Sequence, residues 1–320
     1  MNQTPVLGLD IGGTKLAAGV VGPAGEVLSY LREPTPGGLT ADELLVAVVR
    51  LAQRATAASS VAPGAVGAGC GGPMIFPAGI VSPLHIPVWR DFPLRARLAE
   101  ALGLPVVLDN DAKAFALGEA RFGAGHGARC LLGMVVSTGV GGGLVVQGRL
   151  QHGVSGNAGH IGHLIVAARG PRCECGAIGC VTAYASGVGL AARAQAALRR
   201  GTPSSLAALS PAGVTAEAIA TAARAGDALA VRLLREAGQA LARGLAGAAA
   251  LVDLDRIVLG GGIVQAGDLL VAPLRAELRR RAHLSFTRDL DIRPAALGRA
   301  AGVIGAAALA VYTEAQVRTT

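Results

Sequence analysis

A histidine and three closely spaced cysteines are the most specific chemical signal in this sequence. The cysteines fall in the run Cys173-Glu174-Cys175-Gly176-Ala177-Ile178-Gly179-Cys180, and His163 precedes them. Three thiolates and one imidazole make a closed tetrahedral ligand set, which is typical of structural zinc and leaves no open position for catalysis. Cys70 and Cys130 lie in apolar runs and are interpreted as core residues.

A glycine-rich turn near the start of the chain could bind phosphate. In Asp10-Ile11-Gly12-Gly13-Thr14-Lys15, the glycines Gly12 and Gly13 allow backbone N–H groups to approach an anion. Thr14 adds a hydroxyl donor, Lys15 adds a cation, and Asp10 is placed to hold a hydrated Mg²⁺. A tight hairpin would explain this turn equally well if it stood alone.

The same pattern recurs in Ser137-Thr138-Gly139-Val140-Gly141-Gly142-Gly143. Two such turns suggest a nucleotide phosphate chain held by both, with Thr138 and Gly139 as the second set of contacts. A third cluster, Gly260-Gly261-Gly262, has no side chains, so a flat adenine ring could lie against Gly261 and Gly262.

A carboxylate-rich junction follows the apolar run Pro105–Leu108. Asp109-Asn110-Asp111 closes a predicted strand and opens a predicted helix over about Ala112–Phe122. A carboxylate at such a junction faces the ligand-binding edge of an α/β sheet, and the helix N-terminus favours its ionised form. A general base that accepts a hydroxyl proton needs that form. Helix capping by Asp109 or Asn110 is the alternative, and it is compatible with Asp111 acting as base.

Hydrophobic periodicity predicts an α/β protein of two lobes. Strands are expected at Val6–Asp10, Lys15–Val21 and Val27–Tyr30, a helix at Ala41–Ser60, and mostly helix after residue 187. Further strands are expected at Ala65–Cys70, Pro105–Asp109, Cys130–Ser137, Leu144–Gln147 and Arg256–Leu259. A chain of 320 residues exceeds what one core usually serves.

Composition and charge narrow the class of protein. The net charge is +8, almost all from arginine, because lysine occurs only at Lys15 and Lys113. This positive charge could indicate nucleic-acid binding. A composition rich in Ala, Gly and Arg is, however, also what a GC-rich genome produces. No nucleic-acid partner is therefore expected. The apolar runs 244–252 and 300–312 are shorter than a membrane span, so no membrane association is expected. The start MNQTPVLGLD lacks the pattern of a signal peptide, and the clustered cysteines favour a reducing compartment, which predicts a cytoplasmic protein.

Together these segments resemble the ROK family of sugar kinases over essentially the whole chain. The matching segments are LGLDIGGTK (7–15), GCGGP (69–73), PVVLDNDAKAFALGEARFGAG (105–125), STGVGGG (137–143), GNAGHIGH (156–163), CECGAIGC (173–180), VLGGGI (258–263) and GVIGAAALA (302–310). The resemblance implies an actin-like (ribonuclease H-like) two-lobed α/β fold with a structural zinc loop at 163–180. It places the lobes at 1–112 and 113–301, with a helix over about 302–318 packing back on the first lobe.

The resemblance also implies a function and a set of site residues. ATP, with Mg²⁺, would phosphorylate a hexose hydroxyl, glucose being the first expectation and N-acetylmannosamine, N-acetylglucosamine or fructose the others. Asp111 would be the base, and the sugar contacts would be Gly72, Asn110, Asp111, Asn157, His160, His163 and Thr182. A homodimer or higher homo-oligomer is expected. The alternative is a sugar-binding sensor of the same family with weak catalysis.

Two positions depart from the family's pattern. His160 and Thr182 stand where characterised sugar kinases of the family commonly carry glutamates that bind sugar hydroxyls. Carboxylates form the stronger, charge-assisted hydrogen bonds, so we expect unusual or relaxed sugar selectivity.

The family's repressors carry a DNA-binding domain ahead of the phosphate motif; with nine residues before Asp10, a repressor is not expected.

Overall fold

The computed structural model describes residues 4–317 and forms a mixed α/β fold. The strands are β1 Val6–Ile11, β2 Lys15–Val21, β3 Leu31–Pro34, β4 Ala65–Cys70, β5 Met74–Ile75, β6 Ile80–Val81, β7 Val106–Asn110, β8 Cys130–Val136, β9 Val140–Val146, β10 Arg149–Leu150, β11 Arg256–Gly260 and β12 Asp291–Pro294. The helices are α1 Ala41–Ala57, α2 Leu94–Leu102, α3 Asp111–Phe122, α4 Val181–Ala185, α5 Gly187–Arg199, α6 Ala216–Arg224, α7 Ala228–Val252, α8 Asp268–Arg279, α9 Ser285–Arg288 and α10 Ala301–Val317.

The described chain divides into two compact units. The first unit contains the residues up to Gly133, then Gly143–Gly159, and the residues from Arg293 onward; the second contains Met134–Gly142 and His160–Ile292. The lobes expected at 1–112 and 113–301 remain a prediction. No helix in the described part of the chain is long and apolar enough to span a membrane.

The first unit is built on a sheet with strand order β3-β2-β1-β4-β7. β1 runs antiparallel to β2 and parallel to β4, and β4 runs parallel to β7. Parallel strands end at the same edge, so the turn after β1 and the junction after β7 lie along one edge of the sheet. A second sheet has the order β10-β9-β8-β11-β12.

The two faces of the first sheet are covered differently. One face packs on α1 and α2 in a large cluster that includes the buried Trp89. On the other face, the backbone of α10 lies directly on the strands: a Cβ at Gly8 would meet the Val303 carbonyl oxygen at 2.1 Å, and one at Gly67 would meet that of Ala306 at 1.8 Å. Glycine at both positions is therefore what lets α10 lie so close.

A buried carboxylate holds the segment that leads into α10. Glu119 of α3 is fully buried and accepts hydrogen bonds from the backbone N–H groups of Ala124, Ala296 and Leu297. Hydrogen bonds from several N–H groups offset the desolvation of an ionised carboxylate. This side chain therefore joins the end of α3 to the segment that leads into α10.

The third strand differs from the sequence prediction. It was expected at Val27–Tyr30 but lies at Leu31–Pro34. The side chain of Ser29 is buried, accepts from the Val20 N–H and donates to the Ala55 carbonyl, which replaces regular pairing there. Regular pairing with β2 therefore begins only at Leu31, opposite Ala18.

The second glycine turn is also shorter than predicted. β9 begins at Val140, so Gly141–Gly143 lie in a strand instead of a turn. A Cβ at Gly143 would meet the Cα of Lys113 at 2.7 Å, so close packing on α3 explains glycine there.

Candidate active site and candidate metal centre

The turn between β1 and β2 is a hairpin closed by hydrogen bonds of Gly12. The Gly12 N–H donates to the Lys15 carbonyl at 3.0 Å, and the Thr35 hydroxyl donates to the Gly12 carbonyl at 2.7 Å. A Cβ at Gly13 would meet the carbonyl oxygen of His85 at 2.3 Å, so this position requires glycine. Thr14 is exposed and free to reach a ligand.

Asp10 and Lys15 form an ion pair at this turn. Asp10 Oδ2 lies 2.9 Å from Lys15 Nζ, and the carboxyl group is mostly buried. α10 begins against it, since a Cβ at Gly302 would meet Asp10 Oδ2 at 2.4 Å. A carboxylate oxygen is the ligand type that Mg²⁺ prefers, and the lysine supplies a cation for phosphate.

A basic pocket opens beside the turn. Its volume is about 800 Å³, and its lining includes Thr14, Lys15, Arg32 and Arg299. Glu33, also in the lining, is paired with Arg54. The pocket is therefore suited to anions.

The junction of β7 and α3 holds the predicted base. Asn110 is the N-cap of α3, and its side-chain oxygen accepts from the Ala112 N–H at 3.0 Å. Asp111 is the first helical residue, and its Oδ1 accepts from the same N–H at 2.8 Å. Capping is thus done by Asn110, and the Asp111 carboxylate keeps acceptor capacity for a substrate.

The environment of Asp111 perturbs its acidity. Burial and the negative charge of Asp10 raise the pKa of the Asp111 carboxyl above its ordinary value. The Ala112 N–H, Lys15 and His85 act in the opposite direction. A carboxylate with a raised pKa is a stronger base, which suits acceptance of a hydroxyl proton. His85 was not identified from the sequence, where an exposed histidine in a loop gives no signal.

The other predicted sugar contacts of the first unit lie on neighbouring loops. Asn157 donates through Nδ2 to the Met74 carbonyl at 3.2 Å, which ties it to the loop that follows Gly72. The Leu84 N–H donates to the Gly72 carbonyl at 3.2 Å. These contacts position both loops independently of any ligand.

In the second unit, the four predicted metal ligands converge. Nitrogen or sulfur atoms of His163, Cys173, Cys175 and Cys180 all lie within 4.8 Å of one another. The Cys175 and Cys180 sulfurs are 3.8 Å apart, and Cys173 Sγ lies 3.9 Å from His163 Nδ1. Tetrahedral zinc with Zn–S bonds of about 2.3 Å requires sulfurs roughly 3.8 Å apart, so the ligand set fits zinc.

The loop geometry around the cluster explains its glycines. Gly176 has φ 92° and Gly179 has φ 80°, a region that disfavours other residues. A Cβ at Gly179 would also meet the Ala167 carbonyl at 1.9 Å.

Burial raises the pKa of the Cys180 thiol to about 12, whereas a hydrogen bond from the Ala177 N–H lowers the pKa of Cys175.

The two residues that depart from the family's pattern lie next to the metal ligands. Thr182 is buried, and its hydroxyl donates to the Gly162 carbonyl at 2.8 Å. The rings of His160 and His163 are 6.2 Å apart. Thr182 thus holds the short helical turn Ile161–His163 in place, and its hydroxyl proton is already used.

The remaining nucleotide candidates of the second unit sit in tight backbone turns. The Ser137 N–H donates to the Gly139 carbonyl at 2.8 Å, which closes the turn around Thr138. Gly261 has φ 96°, and a Cβ there would meet the Val136 carbonyl at 2.2 Å. Space beside Gly262 is open.

Four features together define a narrow class of proteins. They are an α/β fold, the candidate anion-binding turns, a carboxyl group of raised pKa at a strand–helix junction and a Cys₃His cluster. The model of the ROK family matches residues 6–312, and the chain belongs to that family. The predicted family membership and actin-like fold class are confirmed.

Named relatives cover nearly the full length. The chain is 36% identical over 311 residues to a glucokinase of Streptomyces coelicolor, covering 95% of this chain and 96% of the relative. It is 37% identical over 305 residues to an N-acetylmannosamine kinase of Citrobacter koseri, covering 95% and 98%. A solved ROK glucokinase from Streptomyces griseus, in complex with glucose and AMPPNP, superposes with a TM-score of 0.82 at 37% identity, covering 97% and 99%.

Proposed function

We propose that the protein is an ATP-dependent sugar kinase that transfers the γ-phosphoryl group to a hexose hydroxyl. The observation that carries the proposal is the Asp111 carboxylate, held at the start of α3 with a raised pKa beside the glycine turn that carries Asp10 and Lys15. Relatives named as sugar kinases, and one solved with glucose and an ATP analogue, support it.

In the proposed reaction, Asp111 accepts the proton of the attacking sugar hydroxyl. The hydroxyl oxygen bonds to the γ-phosphorus as the bond to the bridging oxygen breaks, and ADP leaves. Backbone N–H groups at Gly13 and Gly139, with the Thr14 and Thr138 hydroxyls and Lys15, would stabilise the phosphates, and Gly12, whose N–H donates to the Lys15 carbonyl, would close the turn. Asp10 would hold Mg²⁺, which neutralises phosphate charge when bound. Gly261 and Gly262 would contact the adenine.

The sugar would be held by Gly72, Asn110, Asn157, His160, His163 and Thr182. The Cys₃His centre would hold zinc through His163, Cys173, Cys175 and Cys180, and would shape the segment that carries His160 without chemical participation. Glucose and N-acetylmannosamine are the first substrates to test, since relatives of both names match equally well. A homodimer and a cytoplasmic location remain predictions.

A sugar panel tests the activity. We expect a hexose or N-acylhexosamine to stimulate ADP release from ATP and Mg²⁺ by orders of magnitude over the background without sugar. The measurement is coupled ADP detection across glucose, fructose, mannose, N-acetylglucosamine and N-acetylmannosamine. Sugar binding by calorimetry without any product across the panel would favour the sensor alternative.

The pH dependence follows from the raised pKa of Asp111. The base works only when ionised, so kcat/KM for the sugar falls as the pH drops through that pKa. Because burial and Asp10 raise the pKa, the acid limb should lie above the ordinary aspartate value of about 3.9. A pH profile of kcat/KM for the sugar at saturating ATP measures the pKa of the base before the sugar binds. A limb at or below the ordinary value would contradict the proposed environment of the base.

A further inference from the structure

A fully buried lysine lies next to the proposed active site. Lys113, in the first turn of α3, has no exposed surface, and its Nζ lies 2.7 Å from Oδ1 of the equally buried Asp109. The same nitrogen lies 3.0 Å from the Gly156 carbonyl oxygen and 3.2 Å from Nδ1 of His152. Two oxygen acceptors, one from Asp109 and one from Gly156, thus meet the ammonium group, and the ring of His152 lies against it.

The second oxygen of Asp109 depends on His152. Asp109 Oδ2 has no hydrogen bond of good geometry and lies 2.9 Å from His152 Nδ1. A carboxylate oxygen approaches a ring nitrogen this closely only if the nitrogen carries a proton. His152 therefore shares the carboxylate with Lys113.

The cluster joins three segments of the first unit. Asp109 ends β7, Lys113 belongs to α3, and His152 and Gly156 lie in the segment after β10. The ring of Phe76 stacks on that of His152 at 4.2 Å and lies 5.5 Å from the Lys113 ammonium.

Two of the residues that contact Lys113 immediately precede proposed sugar-binding residues in the sequence. Asp109 precedes Asn110, and Gly156 precedes Asn157. Asn157 is tied in turn to the Met74 carbonyl on the loop that carries Phe76. A shift of Lys113 would therefore move both asparagines.

We propose that Lys113 is a positioning residue that sets the geometry of the sugar site through Asp109 and Gly156, with His152 as a second donor to Asp109. The inference rests on the proposed function, because it concerns the sugar site of that reaction. Burial lowers the pKa of Lys113 while Asp109 opposes this, which is consistent with a cation retained for its partner. A purely structural ion pair would affect folding without distinguishing sugar from ATP.

The test is Lys113→Met, which keeps the length of the side chain and removes its charge. We expect the sugar KM to rise on the order of ten- to a hundredfold, as misplacement of binding groups does, while the ATP KM changes less than about twofold. Sugar Kd by calorimetry measures the loss of sugar binding separately from turnover.

A further variant makes the result specific. Arg121→Met is the matched control, since Arg121 is a cation on the same helix that donates to the Gly148 carbonyl and lies over the Tyr312 ring, away from both asparagines. It should leave the sugar KM unchanged.

Two outcomes would overturn the proposal: an unchanged sugar KM in Lys113→Met, or an equal rise of the sugar and ATP KM. If Lys113→Met does not fold, Lys113→Met with Asp109→Asn removes both charges and should show a raised sugar Kd. A normal sugar Kd in that variant also overturns it. Wild-type turnover across the sugar panel tests the proposed function separately.

Discussion

Asp111→Asn is expected to lower kcat by at least about a hundredfold while the affinities for ATP and sugar change little, because general-base catalysis contributes roughly 10²–10⁴. Asparagine is nearly isosteric with aspartate and can still accept from the Ala112 N–H, which Asp111 Oδ1 does at 2.8 Å. The substitution removes the ability to take a proton, together with the negative charge at the start of α3. Single-turnover phosphoryl transfer, with ATP and sugar affinities measured separately, gives the result.

Asp268→Asn is the matched control for this experiment. Asp268 is likewise the first residue of a helix, α8, but it is exposed and belongs to the second unit. Its replacement removes the same helix-terminus charge interaction, worth about 0.3–1 kcal/mol, and should leave kcat unchanged. Turnover of Asp111→Asn within a few-fold of wild type would remove Asp111 from the role of base.

The second large effect is expected from loss of the metal. Protein purified without chelators should contain about one zinc per chain, and Cys175→Ser should lose it. Structural zinc contributes an apparent 10–16 kcal/mol in small domains, so loss of the ion should lower the free energy of unfolding by several kcal/mol. Elemental analysis and thermal unfolding measure both quantities.

Proton release gives an independent check on the same centre. Because the pKa of the Cys180 thiol is about 12, this group is protonated at neutral pH until a metal binds. Zinc affinity should therefore rise with pH. Cys130→Ser, in β8 and outside the four-ligand cluster, is the control and should retain the zinc. Protein that contains no zinc, or a Cys175→Ser variant that retains it, would refute the assignment.

Much of the fold followed from local sequence patterns. The strands β1, β2 and β4 and the helices α1 and α3 lie within a few residues of their predicted bounds, because hydrophobic periodicity and flanking glycines mark them. The third strand was misplaced because the pairing near Ser29 depends on a tertiary bond to the Ala55 carbonyl. The length of the second glycine turn was wrong because Gly143 lies in β9 and packs on α3, and composition cannot distinguish a glycine used for packing from one used in a turn.

The candidate site was likewise predictable from the sequence only in part. Spacing alone indicated the metal ligands, and the structure brings all four together. The junction at Asn110 and Asp111 was also indicated, and Asn110 caps the helix as one alternative allowed. The partnership of Lys113 with His152 could not be predicted, because the two residues come from segments that meet only in the folded chain. The rarity of lysine in this sequence was the one available signal.

The covering of the first sheet by α10 has a consequence for how the chain folds. Ribosomal synthesis releases β1, β2 and β4 long before α10. Until residues 301–310 follow, the sheet face that carries Ala17 and Val21 lacks the helix that buries it in the finished protein. Contacts such as Gly8 with Val303 close almost the longest loop the chain can form, and such non-local contacts slow folding. The nascent first unit therefore presents an apolar surface for most of its synthesis, and this is the interval in which a chaperone that binds such surfaces would act.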